Sequence, residues 1–208
     1  MNTRHFLLPS ALCLAAGLAL TPAAFANTIS GSIFCGVSST TTPMNAPATG
    51  ACATFTTNSI NFAVPASGSD TLGAFLASDP GAVSSILYTS GFSSASTLNN
   101  TLFDFTGTTY ITAGKTYSAT HDDGTVMKLN GVVVINSAGP TSARTNTYVG
   151  TFTGNANFDF LYSENSGLPA VYKTDLANAS AVPEPSSLAL LGTGVLAAAG
   201  AIRRRLIG

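Results

Sequence analysis

Short apolar runs separated by glycine and small polar residues extend along most of the chain. From position 101 onward the runs are regular, and Gly107, Gly114, Gly124 and Gly131 stand between them. Strand candidates repeated every ~8–12 residues with turn signals between them are typical of antiparallel sandwiches and barrels. The pattern predicts strands over residues 102–105, 108–111, 116–120, 125–129, 132–136, 147–152, 157–161 and 170–172. We therefore predict an all-β fold, an antiparallel, jelly-roll-like β-sandwich.

The pattern is less regular between residues 27 and 100. Residues 28–35 and 53–64 are strand candidates, and residues 70–77 place Leu72, Phe75 and Leu76 at helical spacing. That spacing predicts a short helix with Asp70 as its N-terminal cap. At positions 130 and 131, the dipeptide Asn-Gly separates two apolar runs, which predicts a tight β-hairpin.

Both termini differ from this pattern. Arg4 is followed by an apolar run over 6–20, and the segment ends with small residues at Ala24 and Ala26. This arrangement predicts a secretory signal peptide over residues 1–26, cleaved after Ala26. A first transmembrane helix is the alternative, but Pro9 and the cleavage site favour the signal peptide.

The C-terminus combines three elements in order. Pro183-Glu184-Pro185 precedes an apolar segment over 188–202, and Arg203, Arg204 and Arg205 follow it. The apolar segment predicts a short transmembrane helix whose arginines remain in the cytoplasm. Residues 183–208 would then be a targeting segment, leaving residues 27–182 as the body.

These C-terminal residues resemble the PEP-CTERM sorting signal. The resemblance implies a Gram-negative exported protein that is held transiently in the inner membrane by this helix. An exosortase would cut the chain near Pro183–Pro185, and the mature form would reach the cell surface or the extracellular matrix. A plain membrane anchor is the alternative.

Composition limits the function of the body. Its 156 residues include 20 Ser and 25 Thr, with four basic and eight acidic residues, a formal charge of −4. So few strong helix formers disfavour a helical bundle, and scattered cations on an acidic body exclude nucleic acid as a partner.

Two cysteines remain once Cys13 leaves with the signal peptide. Cys35 and Cys52 are predicted to form a disulfide, since paired thiols oxidise in an exported protein. A metal pair is the alternative, but no further Cys or His lies at zinc-like spacing.

The second half of the body resembles the protective-antigen-type β-sandwich, a lectin-like domain. The resemblance is carried by residues 113–117, by His121-Asp122-Asp123-Gly124, by residues 126–134 and by residues 158–164. It implies a lectin-like half over residues 101–176. In carbohydrate-binding members, an Asp-Asp pair and a later Asn hold a calcium ion that contacts sugar hydroxyls. Here Asp122 and Asp123 match the pair, and Asn165, with neighbouring Glu164, matches the later loop.

The alternative for the acidic pair is a simple turn between two strands. His121 is a weaker candidate ligand. Asp104, Asp159 and Glu164 could supply a glycosidase carboxylate pair, but solvated surface carboxylates are the commoner case in β-sandwiches. No nucleophile elbow or phosphate loop occurs, so we do not expect an enzyme.

We therefore expect an exported, exosortase-processed, non-enzymatic protein that binds polysaccharide or forms part of an exopolysaccharide or biofilm matrix. A purely structural, glycosylated surface protein is one alternative, and a matrix glycan hydrolase is another.

Overall fold

The computed structural model describes residues 28–37, 45–47, 50–177 and 194–195. The predicted signal peptide with Ala24 and Ala26 lies outside these residues, as do Pro183, Glu184, Pro185 and Arg203–Arg205. In the part of the chain that is described, no helix is long and apolar enough to cross a membrane. The predicted span 188–202 falls almost wholly outside that part.

The body is a two-sheet antiparallel β-sandwich, as predicted. One sheet has seven strands in the order β4-β2-β1-β5-β10-β7-β8, and the other has four in the order β3-β11-β6-β9. The elements are β1 (Ile29–Cys35), β2 (Ala53–Thr57), β3 (Asn61–Val64), α1 (Leu72–Ala77), β4 (Val83–Tyr88), β5 (Thr101–Ile111), β6 (Thr116–Asp122), β7 (Gly124–Leu129), β8 (Val132–Ser137), β9 (Arg144–Val149), β10 (Gly154–Glu164) and β11 (Ala170–Thr174).

Aromatic side chains fill the space between the sheets. Alternate residues of a strand point to the same face, so Phe103 and Phe105 of β5 both enter the core. Tyr162 of β10 stacks on Tyr172 of β11, with ring centroids 4.7 Å apart, and joins the two sheets. Phe75 of α1 lies 4.9 Å from Phe103, so the helix closes one side of the same core.

Several predicted elements differ from the observed ones. The single strand predicted over 53–64 is two strands, β2 and β3, which belong to different sheets. The two runs predicted over 102–105 and 108–111 are one long strand, β5. The run predicted over 147–152 is β9, which begins and ends earlier.

The helix begins later than its predicted cap. Thr71 is the N-cap, and its hydroxyl accepts a hydrogen bond from the amide of Ala74 at 3.2 Å. Asp70 instead accepts from the hydroxyl of Thr97 at 3.2 Å. The hairpin prediction is confirmed, since Asn130 and Gly131 have φ angles of 49° and 79° between β7 and β8.

The predicted disulfide is present. Cys35 at the end of β1 is bonded to Cys52, which directly precedes β2, with their Cα atoms 5.8 Å apart. The bond therefore closes the loop between two neighbouring strands.

Candidate functional site

Three connecting segments meet at one end of the sandwich. Strand β6 of the four-stranded sheet ends at Asp122, and β7 of the seven-stranded sheet begins at Gly124, so the chain passes between the sheets at Asp122-Asp123. The peptide bond between these two residues is cis. A β-carbon at Gly124 would lie 2.7 Å from the backbone nitrogen of Gly139. Glycine therefore lets the β8–β9 loop approach the acidic pair closely.

The carboxylate of Asp123 joins all three segments. It accepts hydrogen bonds from the amide of Thr141 at 3.0 Å, in the β8–β9 loop, and from the amide of Asn165 at 2.8 Å, in the β10–β11 loop. The hydroxyl of Ser166 donates to both of its oxygens, at 3.2 and 2.9 Å. The side chain is 3% exposed, so these bonds hold the loops around a buried carboxylate.

Tyr162 connects the other two acidic residues. Its hydroxyl lies within hydrogen-bond distance of the backbone carbonyl of Asp122 and, at 2.9 Å, of Oε2 of Glu164. Asp122 is 8% exposed and Glu164 is 1% exposed. The second oxygen of Glu164, Oε1, accepts from the amide of Ser166 at 3.3 Å.

Burial and mutual repulsion keep these acids less acidic than usual. Burial raises the pKa of Glu164 to about 8. The hydrogen bond from Tyr162 opposes this increase, and the charges of Asp123 and Asp122 add to it. Burial, followed by the charge of Asp123, raises the pKa of Asp122, while the Ala143 amide opposes the shift. Glu164 and Asp122 therefore hold their protons more strongly than solvated carboxyls do.

His121 is a bonded core residue. Its Nδ1 donates to the backbone carbonyl of Asp123, and its Nε2 accepts from the Asn146 side-chain amide at 2.7 Å. The bond to a carbonyl requires the proton on Nδ1, which leaves Nε2 as the acceptor of the neutral ring. Burial lowers the pKa of His121 in agreement with this assignment. Both ring nitrogens are thus already engaged within the protein.

The structure brings all four predicted ligand residues to this end of the sandwich. Asp122 and Asp123 lie in the link between the sheets, and Glu164 and Asn165 lie where β10 ends. Among the described residues, however, no three His, Cys, Asp or Glu side chains form a group that could hold a metal ion. The three acids share this end of the sandwich without forming a ready-made carboxylate cage.

The other two carboxylates considered for a glycosidase pair, Asp104 and Asp159, lie away from this end of the sandwich. Asp104 of β5 and Asp159 of β10 are diagonal neighbours, since Asp104 lies opposite Leu161 and Asp159 opposite Thr106. Lys128 pairs with Asp159 at 3.1 Å. Neither Asp104 nor Asp159 is adjacent in its ladder to Glu164, which lies opposite Thr101 at the end of β10.

Sequence reasoning missed three residues that build the site. Tyr162, Thr141 and Ser166 supply hydrogen bonds to the acidic residues, and none of them carried a sequence signal for this role. Thr141 is 18 positions from Asp123 and Ser166 is 43. Only the folded arrangement of the loops brings them together.

One sequence comparison places this body in a cellular context. Residues 181–205 match the PEP-CTERM protein-sorting motif. The chain thus carries a C-terminal sorting signal, which indicates an exported protein and implies processing by an exosortase. Together with the fold, this defines the class: an exported β-sandwich protein with a sorting motif. No curated protein matches the chain.

Solved structures of similar fold are distant. The PA14 domain of the antifreeze protein MpAFP is 18% identical, covers 70% of this chain and 79% of its own, and gives a TM-score of 0.44. The PA14 sugar-binding domain from an RTX adhesin is 20% identical, with coverages of 71% and 86% and a TM-score of 0.45. A β-glucosidase from Kluyveromyces marxianus is 11% identical and gives 0.39, with coverages of 76% and 17%.

Proposed function

We propose that the exported body is a non-enzymatic polysaccharide-binding protein of the cell surface or an exopolysaccharide matrix. Exosortase processing at the Pro183–Pro185 segment would separate it from its sorting signal. Its binding site would lie at the end of the sandwich that carries Asp122, Asp123, Glu164 and Asn165.

The observation that carries this proposal is the group of three buried acids. Asp122, Asp123 and Glu164 are each at least nine-tenths buried. The single ion pair among the described residues is Lys128–Asp159, which lies away from them. Ionised carboxylates at buried positions need a compensating positive charge, so a cation that displaced the bound protons would offset the cost of their burial.

The donors present fit a hard cation. Carboxylate, amide and backbone oxygens are the ligands that calcium takes, whereas zinc prefers Cys and His. We assign Asp122 as the principal ligand, because its carboxylate accepts a hydrogen bond from the Ala143 amide, whereas the Asp123 carboxylate accepts four. Asp123 already accepts several hydrogen bonds and would contribute less to binding the ion. The carboxylate of Glu164 and the side-chain oxygen of Asn165 would complete the protein ligands.

Bound calcium would supply open coordination positions that vicinal hydroxyls of a sugar can occupy. The chain's own residues would position that ion: Ser166 and Thr141 hold the Asp123 carboxylate, and Tyr162 holds Glu164 against the turn. The loops at this end would then determine which sugars reach the ion.

Calcium titration followed by calorimetry tests whether the protein binds calcium. A glycan array with and without chelator tests whether it binds sugars in a calcium-dependent way. We expect calcium to raise the melting temperature of the exported protein and Asp122→Asn to remove that shift. Asp175→Asn is the matched control, because Asp175 accepts from the Ser118 amide near the start of β6, away from Asp122. Absence of both heat and a thermal shift would contradict the calcium site.

Sorting and binding can be tested separately. Intact-mass measurement of protein released by an exosortase-bearing host should show a body that begins at Asn27 and ends near Pro183–Pro185. A released species that still contains Arg203–Arg205 would contradict exosortase processing and would leave the calcium result unaffected. Chelator-insensitive glycan binding would instead contradict the calcium-dependent mechanism.

A further inference from the structure

Strand β4 is an open edge of the seven-stranded sheet. It is the first strand in the order, and within the described residues its single neighbour is β2. An edge strand presents unpaired backbone N–H and C=O groups, which are a template for another strand. The far side of β4 is therefore available for pairing.

The ladder identifies which backbone groups point outward. Thr89, directly after β4, donates its amide to the carbonyl of Cys52 at 2.9 Å. Since antiparallel residues alternate between bonding and non-bonding pairs, Ser85 and Leu87 also point toward β2. Ile86 and Tyr88 consequently direct their N–H and C=O groups away from the sheet.

Apolar side chains surround these groups. Leu87 is 73% exposed, and Ile86 and nearby Phe92 are each 41% exposed. Beside the strand, a groove of about 540 Å³ separates β4 from Leu76 and Ala77 of α1. Serine side chains and Asp79 also line the groove, so the surface combines exposed apolar and polar residues, as interaction sites do.

Strand β4 itself carries no lysine and no proline, although Asp79 and Pro80 line the groove beside it. Natural edge strands are commonly blunted by lysine, proline or a covering segment. Residues 81–103 contain no charged residue and no proline. The register shift between Thr56 and Thr57 leaves Ser84 of β4 as an extra residue, which confines the regular ladder to Ser85–Tyr88.

We propose that β4 pairs with β4 of a second copy of this chain, antiparallel and across a two-fold axis. In the register we propose, Ile86 lies opposite its own counterpart, and Tyr88 lies opposite Ser84, the residue at which the ladder with β2 shifts. Leu87 then lies opposite Ser85 on the outer face. The result is a continuous sheet that runs through both bodies.

The chemistry of the surface favours a second copy as the partner. The body carries a formal charge of −4, so two copies repel wherever their acids face each other. Strand β4 is uncharged, so identical copies can meet along it without that repulsion, and its antiparallel register is self-complementary.

The opposite edge of the same sheet is less suited to pairing. Strand β8 also exposes Val132 and Val133, at 66% and 45%. Its ladder with β7 shifts register in the middle, between Met127 and Lys128, and Lys128 lies opposite Val133. This register shift interrupts the regular ladder in the middle of β8, whereas the shift in β4 lies at the end of the strand next to Val83. Val132 is therefore a matched control position for β4.

Sedimentation equilibrium of the exported, processed protein tests the proposal. We expect a monomer–dimer equilibrium that Leu87→Lys weakens by at least about tenfold, or ~1.4 kcal/mol, while Val132→Lys leaves it unchanged. Both side chains are exposed, so neither substitution should unfold the body, and circular dichroism checks this. A monomeric wild type at all concentrations, or a dimer that dissociates with Val132→Lys instead, overturns the proposal.

Cysteine cross-linking tests the register independently. Paired Cα atoms at about 5.5 Å are within disulfide reach, so Ile86→Cys on the two-fold axis should form a covalent dimer under mild oxidation. Leu87→Cys lies opposite Ser85 and should cross-link much less. A dimer linked better through position 87 than through position 86 overturns the register, and capture of a different protein without self-association overturns the choice of partner.

Discussion

The hydroxyl of Ser166 donates to both carboxylate oxygens of Asp123, at 3.2 and 2.9 Å, across 43 positions of sequence. This contact joins the β10–β11 loop to the link between the two sheets. Amides of Thr141 and Asn165 complete the set of donors. Asp123 therefore has an architectural role at the candidate site whether or not an ion binds there.

Removal of these contacts should destabilise the body in a graded way. Ser166→Ala removes one exposed hydroxyl donor and should cost about 1 kcal/mol, whereas Asp123→Ala leaves two partly buried amides without an acceptor and should cost about 3 kcal/mol. Urea unfolding measures both free energies. Ser142→Ala, on an exposed residue of the neighbouring loop, is the control and should be neutral. Equal effects of Ser166→Ala and Ser142→Ala would contradict the role assigned to Ser166.

Reduction of the disulfide should lower stability substantially. Cys35 and Cys52 are 17 positions apart, and by the chain-entropy estimate a loop of this length contributes about 3 kcal/mol. For a body of this size the melting temperature should fall by about 6–12 °C. Thermal melts with and without reductant measure the change, and the Cys35→Ala, Cys52→Ala double variant should not respond to reductant. An equal response in that variant would assign the effect to something other than the disulfide.

Asp104 should make stability depend on pH. Burial, reinforced by the charge of Asp159 and opposed by Lys128, raises the pKa of Asp104 to about 6. A group with a raised folded-state pKa binds protons more tightly in the folded state. It therefore destabilises the body as pH rises from about 4 to 6, the interval between its unfolded and folded pKa values.

Asp104→Asn should remove this cost. After allowance for solvent screening at a partly exposed face, we expect the variant to gain about 1 kcal/mol, or about 2–4 °C, at pH 8. The gain should disappear near pH 4, where the wild-type carboxyl is protonated, so the wild type across this range is the internal control. A gain of the same size at both pH values would show that the substitution acts through packing instead.

Two glycines of the seven-stranded sheet lie beneath phenylalanine rings. Gly31 is opposite Phe55, where an added β-carbon would come within 2.2 Å of the ring, and Gly107 is opposite Phe158, at 2.8 Å. Alanine at either position should displace the ring and cost about 1–3 kcal/mol. Denaturant unfolding measures the loss, and Ser30→Ala on the outer face of β1 is the control. Neutral Gly31→Ala would mean that the ring adjusts without loss of packing.

Local features of the sequence were sufficient for several conclusions. The Asn130-Gly131 hairpin and most strands of the second half depend on residues close together in the chain. The Cys35–Cys52 bond followed from counting the thiols left in an exported body. The sorting motif is a contiguous segment, so its recognition requires no knowledge of the fold. The alternation that places Phe103 and Phe105 in the core also depends only on the two-residue period of a strand.

Tertiary structure decided the rest, because those features depend on residues far apart in the chain. The run over 53–64 reads as one strand, yet β2 and β3 separate because each completes a different sheet. Thr141 and Ser166 meet Asp123 only once three loops converge at one end of the sandwich. The exposed edge of β4 follows from strand order, and no local pattern encodes strand order. A sequence period specifies which face a residue occupies, whereas packing of the whole core selects the neighbour opposite it.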